Sequence, residues 1–109
     1  MRMLLKVNIP VEAGNKAARE GTLGKTIQQI LQAMKPEAAY FVAEHGQRCG
    51  LLVVHLDHAS KIPALAEPWF LAFNAAIELF PLMTPEDLQK ASPDIESCAR
   101  TYGQEAVAV

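Results

Sequence analysis

The sequence predicts an α+β domain in which four strands form one antiparallel sheet and helices cover one of its faces. Two patterns carry this expectation. Short strand-like apolar runs occur at 3–9, 38–44, 51–57 and 75–83. Apolar residues at helical spacing lie between the first and second runs and again between the third and fourth. The order is strand, helix, strand, strand, helix, strand, followed by a helical appendix. A right-handed β-α-β crossover with the third strand inserted gives a sheet ordered 4-1-3-2.

The first strand places Leu5, Val7 and Ile9 on one face and Leu4, Lys6 and Asn8 on the other, and Pro10 stops it. Residues 11–22 are small and polar, contain Gly14 and Gly21, and read as a loop. Leu23, Ile27, Ile30, Leu31 and Met34 then form one helical stripe, closed by Pro36. The segment 45–50, His-Gly-Gln-Arg-Cys-Gly, separates two strands and reads as a hairpin turning on Gln47-Arg48. That turn pairs Tyr40 with His55, Val42 with Val53 and Glu44 with Leu51. Ser60 reads as the cap of a second helix carrying Ile62, Leu65, Ala66 and Trp69, with a kink or break at Pro68. Ile77 and Leu79 alternate with Glu78 and Phe80 in the fourth strand. Thr84-Pro85-Glu86-Asp87 is a helix start, and Ser92-Pro93-Asp94 repeats the signal, so the appendix breaks there.

Length and composition fit one domain over 1–109, with 103–109 as a loose tail. Net charge is −2, so there is no basic excess to neutralise phosphates and no nucleic-acid partner is expected. No apolar run reaches the ~18 residues of a membrane span, and the N-terminal run is too short for a secretory signal. Cys49 and Cys98 make no disulfide framework and read as reduced thiols in a cytoplasmic protein.

The second face of the sheet decides the assembly. Phe41, Ala43, Leu52, Val54 and Leu56 join Leu5, Val7, Ile9, Ile77 and Leu79 as a core under the helices. The opposite face holds Leu4, Lys6, Asn8, Tyr40, Val42, Glu44, Leu51, Val53, His55, Glu78 and Phe80. That mixture is too apolar for a face left in water. Leaving Leu4, Val42, Leu51, Val53 and Phe80 wet forgoes roughly 1.5–3 kcal/mol each. The expectation is a homodimer packed through this helix-free face about a two-fold axis.

This order and mixed face resemble the ferredoxin-like, dimeric α/β-barrel superfamily. Ile62-Pro63-Ala64-Leu65, Pro68-Trp69 and the run from Ile77 to Leu88 are similar to the ending of small, uncharacterised bacterial members. The resemblance covers about residues 3–90. It implies a homodimer that binds, or acts without a cofactor on, a small and largely apolar molecule. The superfamily includes cofactor-free monooxygenases, isomerases, haem enzymes and members without known activity, and no catalytic motif of any one of them stands here. The alternative is a non-catalytic dimer that binds a metabolite or another protein.

The best candidate site is the polar cluster on the apolar face. His55 is the candidate proton shuttle, with Tyr40 as its hydrogen-bonding partner. Lys6, Asn8 and Glu78 are candidate ligand-binding groups, and a Lys6–Glu78 pair satisfies two charges at once. An interface salt bridge with a tucked-in histidine is the plainer reading of the same residues. Trp69, with Phe70 and Phe73, is a candidate wall for a cavity between helix and sheet, although such a stripe more often belongs to a core. Gly24-Lys25-Thr26 lacks the upstream glycine of a phosphate loop, since Arg19 stands there. His55 and Asp57 share a strand face but His58 lies past the strand end, so a metal site needs a third ligand from Glu78 or His45, and none is assigned. Cys49, beside Arg48 in the hairpin loop, has no visible base.

Overall fold

The computed structural model describes residues 1–103. It is α+β, with one four-stranded antiparallel sheet. The strands are β1 (Arg2–Ile9), β2 (Ala38–Glu44), β3 (Gln47–His55) and β4 (Ala76–Pro81). The helices are α1 (Val11–Arg19), α2 (Leu23–Met34), α3 (Ile62–Phe73), α4 (Pro85–Lys90) and α5 (Ser92–Tyr102), with a 3-10 turn at Ala59–Lys61 before α3. The strand order is β2-β3-β1-β4, which read from the β4 edge is 4-1-3-2. The expected tail residues 104–109 lie outside the described residues.

The segment 11–22, expected as a loop, contains helix α1. Gly14 and the small residues around it hid a dipole-matched pattern, with Glu12 in the first turn and Lys16 and Arg19 in the last. The helix ends in a Schellman motif. Gly21 takes φ +72°, its N–H donates to Ala18 O at 3.1 Å, and the Thr22 N–H donates to Ala17 O at 2.9 Å. Helix α2 follows with its apolar stripe turned to the sheet, as its periodicity requires, and it ends at Lys35 in the left-handed region.

The hairpin turns on His45-Gly46, not on Gln47-Arg48. A two-residue turn that follows strand twist needs positive φ at both positions. His45 takes +51° and Gly46 +75°, whereas Gln47-Arg48 would place two side-chain-bearing residues there. Tyr40 therefore pairs with Leu51, Val42 with Cys49 and Glu44 with Gln47. Cys49 belongs to a strand and is buried, so its assignment to a loop is also corrected. The partner of each β2 residue moves by four positions along β3. Because four is even, every side chain stays on the expected face. Gly46→Ala is expected to cost about 1–2 kcal/mol by forcing a β-carbon into the left-handed region, read as a lower denaturation midpoint.

The core lies between α2, α3 and one sheet face. Leu5, Val7 and Leu52 are fully enclosed, with Met3, Ile9, Val54, Leu56, Ile30, Trp69 and Phe73 around them. Ile77 and Leu79 pack at its margin. Phe41 and Ala43 were expected in this core, yet both are exposed. They sit on β2, an edge strand that the helices do not reach. Pro68 lies inside a continuous α3 instead of splitting it. His58, not Ser60, supplies the cap before that helix, its Nδ1 accepting from the Ser60 N–H at 3.2 Å.

Thr84 starts α4 as expected, and with Asp87 it forms a capping box, each side chain accepting from the other's backbone N–H. The Thr84 N–H bond holds the Asp87 carboxyl below its ordinary pKa. A depressed folded-state value contributes stability above the unfolded pKa and loses it as pH falls through the folded one. The protection of the Thr84 and Asp87 amides against hydrogen exchange, taken relative to the free-chain rate at each pH, is therefore expected to fall as Asp87 protonates.

Beyond β4 the chain leaves the body. Every residue of α4, and every residue of α5 after Ser92, is exposed. Leu88, Ile95 and Tyr102 are among them. The radius of gyration is 19.2 Å, against about 13 Å for a compact chain of this length. Residues 85–102 form an arm that contributes nothing to the core.

Candidate functional site

The sheet presents two places where chemistry-bearing residues gather. The first is the helix-free face, where the polar cluster was expected. Lys6 on β1 stands beside Glu78 on β4, but its nearer partner is Glu44 on β2, with Nζ 2.6 Å from Glu44 Oε1 and 4.0 Å from Glu78 Oε1. The hydrogen bond to Glu44 raises the Lys6 pKa, with Glu44 and Glu78 charges adding to it. In the observed register Glu44 lies opposite Gln47, and it is Tyr40 that shares the Leu51–Lys6 row, so the contact runs diagonally across the face.

The same register separates His55 from Tyr40. Tyr40 faces Leu51, four residues along β3 from His55, or about 13 Å away. His55 instead pairs with Arg2 on β1, and its Nε2 lies 2.8 Å from Asp57 Oδ1 at the exposed end of the strand. Asn8 lies opposite Cys49 and Ala76. The structure thus brings Lys6, Glu44 and Glu78 together and leaves His55, Tyr40 and Asn8 apart. Beneath this cluster Cys49 is 2% exposed, and burial followed by the Glu44 charge pushes its thiol pKa up, against the pull of Lys6. A protonated, enclosed thiol is a poor nucleophile. Among the described residues no group of three or more His, Cys, Asp or Glu side chains has the geometry to hold a metal ion.

The second place is a cleft of about 660 Å³ between the helices and the β2-β3 end of the sheet. Its walls are mainly apolar: Val7 and Ile9 from β1, Val11 from α1, Ile27 from α2, Phe41 from β2 and Trp69 from α3. Its size falls in the range of small-molecule sites. Two glycines shape it. Gly50, in mid-β3, leaves open the space where a β-carbon would meet the Phe41 ring at 3.4 Å. Gly14, buried in α1, lets Arg48 lie across the helix, since a β-carbon there would stand 2.6 Å from Arg48 Nη1. Arg48 Nη1 donates to Asn15 Oδ1 at 3.1 Å.

Trp69 is the one expected site residue that lines this cleft. It is 1% exposed, and its indole ring stacks on Phe73 with centroids 6.3 Å apart. Its Nε1 is buried with no hydrogen-bond partner among the described residues. Such an unsatisfied donor costs about 1–3 kcal/mol. The residues that sequence reasoning missed are Arg48, Asn15, Gly14 and Gly50. Gly50 was visible as a glycine inside a strand-like run, a known mark of close approach. Asn15 and Gly14 became legible only once α1 was seen as a helix.

No family model, no curated protein and no solved structure matches the chain. No helix among the described residues is long and apolar enough to cross a membrane.

Proposed function

We propose that this chain is a ferredoxin-like domain of the dimeric α/β-barrel kind that binds a small, largely apolar molecule between its helices and its sheet. The observation that carries the reading is the apolar cleft itself, of small-molecule size, with Trp69 in its wall and its floor left open at Gly50. A core built only for stability fills such a space with side chains. The described lining contains no carboxylate and no histidine, so its residues offer binding and orientation. Binding, not proton transfer, is therefore the reading placed first.

A homodimer completes the picture. On the helix-free face Tyr40 is 67% exposed, Val42 46% and Phe80 42%, beside the half-buried Leu4, Leu51 and Val53. A second copy covers this surface, and the projecting α4-α5 arm of each chain lies along the other. The arm's exposed Leu88, Ile95 and Tyr102 supply apolar contacts for that purpose.

Trp69 is the chain's single tryptophan, so its fluorescence reports on the cleft without a label. Titration with 4-phenylbutan-1-ol is expected to give a saturable emission change. Gly50→Val, which fills the floor, is expected to abolish the change while leaving the far-UV circular dichroism intact. An unchanged titration in a folded Gly50→Val protein, or no saturable change in the wild type, overturns the assignment.

A further inference from the structure

We infer that the cleft selects an apolar carboxylate, with its anionic head group held by Arg48. This rests on the binding reading above and goes beyond it by naming the ligand's chemistry.

Arg48 makes the selection. It is always charged, and its guanidinium offers five donors in a planar fork suited to a carboxylate. Its described side-chain partner is the neutral Asn15 amide, which takes one of those donors, and no carboxylate pairs with it among the described residues. The cation is also placed, because the missing side chain at Gly14 gives it a bed on α1. An oriented, partly engaged arginine at the mouth of an apolar cleft favours an anionic head group there. Beside it Ile9, Val7, Ile27 and Phe41 match an aliphatic or aromatic body.

A neutral hydrocarbon would fill the walls but leave the guanidinium unanswered. A phosphate-rich ligand is disfavoured, because Arg48 is the only charged residue in the described lining.

The test is calorimetric titration with two matched probes, 4-phenylbutan-1-ol and 4-phenylbutyrate. The butyrate is expected to bind about tenfold tighter than the alcohol, as one charge-assisted bond implies. Arg48→Met is expected to erase that difference while leaving the affinity for the alcohol within about twofold. Gly14→Ala, whose β-carbon pushes the guanidinium aside, is expected to do the same. Equal affinity for alcohol and butyrate, both blocked by Gly50→Val, overturns the carboxylate preference while the cleft remains a binding site. Failure of both probes to bind overturns both the ligand class and the binding site.

Discussion

Trp69→Ala is expected to lower the unfolding free energy by about 3–5 kcal/mol, whereas Trp69→Phe lowers it by about 1 kcal/mol or less. The alanine removes a side chain that is 1% exposed and stacked on Phe73, leaving a cavity that the sheet beneath cannot collapse to fill. Against a typical total stability of about 5–15 kcal/mol, that loss is severe. The phenylalanine keeps most of the apolar contact and also deletes the orphaned N–H, so loss of packing and relief of desolvation oppose each other. Denaturant titration of the three proteins checks both numbers. A Trp69→Phe loss as large as the alanine's would show that the indole N–H is satisfied in solution.

Val53→Asp on the helix-free face is expected to turn a dimer into a monomer, read by analytical ultracentrifugation at micromolar concentration. Val53 lies at the centre of that face, between Leu4 on β1 and Ala38 on β2, and is only half-buried in one chain. A carboxylate there costs little in the monomer, where water reaches it. Across a two-fold interface it is desolvated, with a second copy of the same charge close by, and such burial is strongly unfavourable. Far-UV circular dichroism is expected to stay unchanged, which separates lost assembly from lost folding. A wild-type protein that sediments as a monomer throughout would remove the dimer and leave the cleft reading to stand by itself.

The shifted hairpin shows how far local pattern reaches. The alternation of Tyr40, Val42 and Glu44 against Phe41 and Ala43 assigned each residue to the correct face. Which residue faces which was set by His45-Gly46 accepting positive φ, a choice that two nearby glycines left ambiguous. The consequence is chemical: His55 stands apart from Tyr40, which takes the place beside Leu51 that Glu44 was expected to hold. Phe41 teaches a different lesson. Its pattern is that of a core residue, but burial needs a covering element, and no helix extends over β2.

Taken alone, the sequence determined the α+β class, the four strands and their faces, helix α2, the capped start of α4 and the break before α5. All of these follow from periodicity and capping, which act within a few residues of chain. Only the tertiary structure decided the hairpin register, the exposure of β2, the standing-off of the α4-α5 arm and the cleft. The cleft is made by side chains absent at Gly14 and Gly50 against neighbours as distant in sequence as Trp69, and no local pattern records what a missing side chain leaves open.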